Sequence, residues 1–143
     1  MKTRERSGCG MPTTHEWQGF RHDARMPSDI ESLTQALREF AQAREWEPFH
    51  SPKNLASALA VEAAELLEHF QWMTEEQSRQ ADARKKEEIA AEAADVFLYL
   101  LQLCDKLGID LAAAARLKMA ANATRYPVER SRGTSKRPSG QDQ

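Results

Sequence analysis

Two cysteines, Cys9 and Cys104, are few for a chain of 143 residues. Two cannot build a disulfide framework, and their settings differ: Cys9 lies in polar sequence, Cys104 in an apolar helical pattern. A reducing, cytoplasmic compartment is therefore expected. No apolar run reaches the length of a membrane span, and the N-terminal stretch lacks the hydrophobic segment of a signal peptide, so no membrane partner is expected. Neither sign of charge is in excess. Twenty Lys and Arg against 22 Asp and Glu leave a formal net charge of −2, which argues against nucleic acid as a partner. Glycine and proline, six of each, are scarce inside the apolar patterns, and no segment alternates as a half-buried strand does. An all-α fold of one-domain length remains. A chain of this size often gains core by oligomerising.

Polar sequence without periodicity occupies residues 1–27, read as a flexible N-terminal arm. The end, residues 128–143, has the composition of a flexible tail. Between them, residues 28–127 carry four helical patterns, expected to form a four-helix arrangement. Ser28 and Glu31 can make a capping box for the first, in which Ile30, Leu33, Leu37 and Phe40 recur at helical spacing up to about Arg44. The segment EWEPFHSPKN, with two prolines and two aromatics, breaks that helix. Ser51 and Pro52 open the second, through Leu55, Leu59, Leu66 and Phe70. After a polar linker at about residues 73–85, the third pattern runs through Ile89, Val96, Leu100, Leu103 and Leu107, with Gly108 as a stop. Asp110 caps an alanine-rich fourth helix to about Thr124. Cys104 and the methionines read as core.

The second and third patterns carry acids where hydrocarbon is expected. On a helical wheel Glu62 borders an arc of about 80° holding Leu55, Leu66, Leu59 and Phe70, with Glu65 about 60° to the other side. Glu92 borders the same kind of arc, with Asp95 placed as Glu65 is. If these stripes pack antiparallel, the acidic pairs converge. Four carboxylates cannot all stay ionised there without basic side chains, raised pKa values or bound cations. Neither helix sets Lys or Arg between its acids. An all-oxygen cluster, without cysteine and without a Glu-x-x-His pair, points to hard Mg²⁺ or Mn²⁺, whose remaining positions go to water and substrate phosphates. The plain alternative is that the acids are solvated borders of a core stripe. Glu68 lies further round and is either exposed or supporting.

The pattern Glu62-x-x-Glu65, a long spacer and Glu92-x-x-Asp95 resembles the signature of the MazG-like all-α nucleoside triphosphate pyrophosphohydrolases. EWEPFHSPKNLASALAVEAAELLEHFQW, EIAAEAADVFLYLL and LKMAANATRYP resemble its dCTP pyrophosphatase branch, over about residues 29–127. The resemblance implies a MazG-like helical bundle in a homo-oligomer, a tetramer or dimer with sites at subunit contacts. It also implies Mg²⁺-dependent hydrolysis of a nucleoside triphosphate, dCTP or a modified dCTP, to monophosphate and pyrophosphate, with a cellular role in cleaning the nucleotide pool. Glu62, Glu65, Glu92 and Asp95 match the metal ligands, and Glu62 or Glu65 is the candidate general base. Trp46, His50, Asn54 and Trp72 match the loop and aromatics around the metal helix. Lys118, Asn122, Arg125 and Tyr126 match the phosphate-facing segment, although a basic helix end facing solvent is the plain reading of the same residues. Trp46 and Trp72 are candidates to stack a base. Two alternatives share the residues: a broad-specificity hydrolase of non-standard triphosphates, and a catalytically silent oligomerisation module whose acids hold structural cations.

Overall fold

The computed structural model describes residues 29–134, and these are all-helical, with no strand among them. Helix α1 spans Asp29–Gln42, and a 3₁₀ turn follows at Glu47–Phe49. Helix α2 spans Pro52–Glu68, a single turn α3 Glu75–Ser78, and the long α4 Ala83–Lys106. Helix α5 spans Leu111–Arg125 and a last turn, α6, Val128–Ser131. No helix among the described residues is long and apolar enough to cross a membrane. The expected Ser28 cap lies outside the described residues.

Local chemistry sets most boundaries. Ser51 accepts from the Asn54 amide with Pro52 at the first helical position, and Asp110 accepts from the Ala113 amide, as the sequence predicts. Gly108 stops α4 at φ 64°, with the Ile109 amide returning to the Cys104 carbonyl. Three boundaries differ from expectation. Helix α4 begins inside the expected linker, because the Asp82 side chain caps the Lys85 amide. The linker also holds α3, closed by a reciprocal Thr74–Gln77 capping box. Past residue 127 the chain makes one further helical turn.

Helices α2 and α4 pack together most extensively, and α1 lies against α4. The pair runs antiparallel: Glu62 meets the Glu92 region, while His69, about two turns later, meets the earlier Lys85. Only Ala41, Leu55, Leu101 and Cys104 are fully buried among the described residues. The expected stripe residues Leu59, Leu66, Phe70, Ile89, Val96, Leu100 and Leu103 are half-buried, but Phe40 and Leu107 are exposed. Helix α5 buries no residue, and Leu117 and Met119 on it are more than 70% exposed. Within one chain the observed core is therefore α1, α2 and α4, and the fourth helix stands beside it rather than completing a closed bundle.

Candidate metal and nucleotide site

The antiparallel α2–α4 pair brings acids from both helices together. Ligand atoms of Glu62, Glu65 and Glu92 all lie within 4.8 Å of one another. Asp95, one turn on from Glu92 along α4, stands outside that tight group but close enough to act on Glu62. Burial, then the charges of Asp95, Glu65 and Glu92, push the Glu62 carboxyl above the usual carboxylate range. Burial pushes Asp95 up as well. None of the four forms an ion pair with a basic side chain among the described residues. Of the three ways to accommodate clustered carboxylates, basic partners are thus not used here, and a cation would relieve the repulsion that remains. The donor set is oxygen only, which suits a hard divalent ion.

Tyr99 escaped the sequence reading. It is half-buried on α4, one turn beyond Asp95, and its phenol is pushed up by burial and then by the charges of Glu62 and Asp95. Its spacing of four from Asp95 was the available signal.

The other candidate residues are not gathered around the acids within one chain. Trp46 follows α1 and packs edge-on against Phe40 and His50, at centroid separations of 5.8 and 6.0 Å. His50 lines a small cavity with Arg38, Glu47, Asp105 and Lys106. Ten residues of α4 separate Asp105 from Asp95, about 15 Å along the axis. Asn54 is engaged locally: its Nδ2 donates to the Phe49 carbonyl at 2.9 Å. Trp72, past the other end of α2, is 89% exposed. It borders an open cleft of about 650 Å³ with Glu68, His69, Met73, Asp82 and Lys85. There Lys85 Nζ lies 2.7 Å from His69 Nδ1, a contact that ties the end of α2 to the start of α4. Lys118 and Asn122 are exposed on α5, with Arg125 half-buried and its guanidinium 5.9 Å from the Tyr126 ring.

An all-helical chain with acidic pairs facing each other across an antiparallel helix pair defines a class, and comparison with known proteins agrees. Residues 58–139 match the MazG-like family, and the chain belongs to it. It is 40% identical over 108 residues to dCTP pyrophosphatase 1 of Bos taurus, covering 74% of this chain and 64% of that protein. To dCTP pyrophosphatase 1 of Homo sapiens it is 38% identical over 110 residues, covering 76% of this chain and 65% of that one. The chain therefore spans a little under two thirds of the curated relatives it matches. Among solved structures, the crystal structure of a pyrophosphatase from Archaeoglobus fulgidus is similar at a TM-score of 0.67 with 40% identity. That match covers 73% of this chain and 98% of the other.

Proposed function

We propose that this protein is a divalent-metal-dependent nucleoside triphosphate pyrophosphohydrolase, cleaving dCTP or a modified dCTP to the monophosphate and pyrophosphate. The observation that carries the reading is the convergence of Glu62, Glu65 and Glu92, with Asp95 beside them, and no basic partner among the described residues. Similarity to dCTP pyrophosphatases supports the choice of base, and membership of the MazG-like family supports the reaction.

Glu62, Glu65, Glu92 and Asp95 would hold Mg²⁺, with Mn²⁺ as a substitute. Bound there, the ion would neutralise phosphate charge and acidify a water. The chain's own residues supply the rest. Glu62 or Glu65 would take the proton of that water, and burial with the charges of its acidic neighbours pushes the Glu62 carboxyl up. Lys118, Asn122 and Arg125 recur at spacings of four and three on α5, so one helix face can present two cations and an amide to a triphosphate tail. Trp46, with His50 beside it, and Trp72 offer ring faces for a base, and Tyr126 is a further candidate for substrate contact. These groups lie apart in one chain, and α5 carries exposed Leu117 and Met119. Both features support a homo-oligomer in which one subunit's α5 or aromatic loop completes the other's acidic cluster.

Product analysis tests the proposal. The protein is incubated with dCTP, 5-methyl-dCTP and a panel of other triphosphates, with and without Mg²⁺, and the products are resolved by chromatography. Mg²⁺-dependent monophosphate and pyrophosphate are expected, fastest with the cytosine nucleotides. Nucleoside diphosphate with orthophosphate would overturn the reaction, and equal rates across bases would overturn the substrate preference.

A further inference from the structure

The segment joining α1 to α2 is fastened to all three packed helices. On α1, the Trp46 amide donates to the Ala41 carbonyl at 3.0 Å, and the Trp46 ring packs edge-on against Phe40. The Phe40 ring is covered in turn by the Arg44 guanidinium, 3.5 Å from its centroid. Glu45, at φ 55°, takes the left-handed conformation that an L-residue adopts at a cost. On α2, Asn54 Nδ2 holds the Phe49 carbonyl. On α4, Lys106 Nζ forms an ion pair with Glu47. Asp105, the acid next to Lys106, is occupied by Arg38 of α1, whose Nε donates to it at 2.9 Å. That pairing leaves Lys106 for the loop.

The fastenings flank the two rings. Lys106 grips the residue after Trp46, and Asn54 grips the residue before His50. The ring nitrogens of Trp46 and His50 make no hydrogen bond among the described residues. An anchored backbone presenting aromatic rings whose nitrogens are unbonded is the arrangement of a preorganised binding wall, because holding the loop in advance lowers the ordering cost at binding.

We propose that Asn54 and Lys106 are positioning residues, which hold the Trp46–His50 loop as a rigid wall of the nucleotide pocket. The proposal rests on the functional reading given above, and it reassigns Asn54: its amide is spent on the loop rather than on substrate. Lys106 lies outside every motif of the sequence, so its role comes from the fold alone.

The test uses the full chain, with two readouts. Acrylamide quenching of Trp46 fluorescence, in a Trp17→Phe, Trp72→Phe background, reads the loop without reference to activity. Steady-state kinetics with dCTP and Mg²⁺, in the otherwise native chain, read its consequence. Asn54→Asp removes the Nδ2 donor and leaves the Ser51 cap on the backbone amide in place. Lys106→Met removes the ion pair, and Lys106→Arg keeps it. Asn54→Asp and Lys106→Met are expected to increase quenching of Trp46. Lys106→Met is expected to raise KM about two- to fivefold with kcat within about twofold, since a half-exposed ion pair that acts only through placement removes uniform binding. Lys106→Arg is expected to restore both readouts. Unchanged quenching in Asn54→Asp and Lys106→Met would overturn the proposal. So would a fall in kcat at constant KM, or an arginine variant as impaired as the methionine one. If the native protein turned over no triphosphate, the functional reading would fail, and the quenching series would still decide whether these residues hold the loop.

Discussion

Replacing Glu62 with glutamine is expected to stabilise the metal-free protein and to remove its response to Mg²⁺. Two unit charges 4.8 Å apart, the outer limit for the Glu62, Glu65 and Glu92 ligand atoms, repel by about 0.9 kcal/mol in water and about 3.5 kcal/mol at an effective dielectric of 20. The site is only partly buried, so the lower end governs after solvent screening, and removing the Glu62 charge is worth about 1 kcal/mol. For a domain near 100 residues that corresponds to a rise in Tm of about 4–8 °C in EDTA. With Mg²⁺ the order reverses. At about 100 times the dissociation constant the ion stabilises the native protein by about 2.7 kcal/mol, and the variant loses most of that gain. Differential scanning calorimetry in EDTA and in Mg²⁺ reads both signs. The pH dependence follows from the same cluster. Glu62 and Asp95 have folded-state pKa values raised above the unfolded ones, so the folded state binds protons more readily. The metal-free native protein therefore gains stability as pH falls through those raised values towards the usual carboxylate range, and the gain is smaller in Glu62→Gln. Below that range the gain is opposed by Asp105, which Arg38 holds low and whose contribution is lost on protonation. A lower Tm for Glu62→Gln in EDTA, or a Mg²⁺ shift equal to that of the native chain, would refute the reasoning.

Glu65→Gln is expected to lower Mg²⁺-dependent turnover of dCTP by about 100-fold or more, the scale of losing one electrostatic group at a reacting centre; unchanged turnover in the product assay would remove the acidic cluster as the site. Trp72→Ala should leave Tm unchanged, because the ring is 89% exposed. If it stacks the base, KM for dCTP should rise about tenfold in initial-rate assays. Leu55→Ala, at the one large side chain under 2% exposed among the described residues, is expected to cost about 2–5 kcal/mol in urea unfolding.

The features that were legible in the sequence are those that act over a few residues. Ser51, Asp110 and Gly108 each set a helix end through a bond to a neighbour at most five residues away, and each was readable from residue type alone. The facing of the acids was readable too, because the same 3.6-residue period places Glu62 and Glu92 at the same edge of their stripes. Where residue type was ambiguous the detail was not legible. The end of α1 near Arg44 was legible from the prolines and aromatics of EWEPFHSPKN, but not the left-handed Glu45 that turns the chain just past Gln42. Asn54 is a polar residue at a helix start, and nothing local distinguishes a side chain that reaches substrate from one that reaches the Phe49 carbonyl. The Lys106–Glu47 and Arg38–Asp105 pairs join residues 59 and 67 positions apart, beyond any periodicity.

The exposed apolar positions show a deeper limit. A helical stripe reports that a face is to be buried, and it does not report against what. Leu55 and Leu101 are buried within the chain, whereas Leu107, Leu117 and Met119 belong to patterns just as apolar and stay exposed. Taken as one closed bundle, the four helical patterns would bury Leu107 and one side of α5, although Leu117 and Met119, two residues apart, point to opposite sides of it. The described chain closes only α1, α2 and α4, and on the reading proposed above a second copy would set α5 and the scattered nucleotide candidates against the acids. On that argument folding and assembly complete the same site. Dilution below the dimer's dissociation constant should then lower specific activity in parallel with loss of the oligomer by analytical ultracentrifugation, while activity that persists in monomers would break the argument.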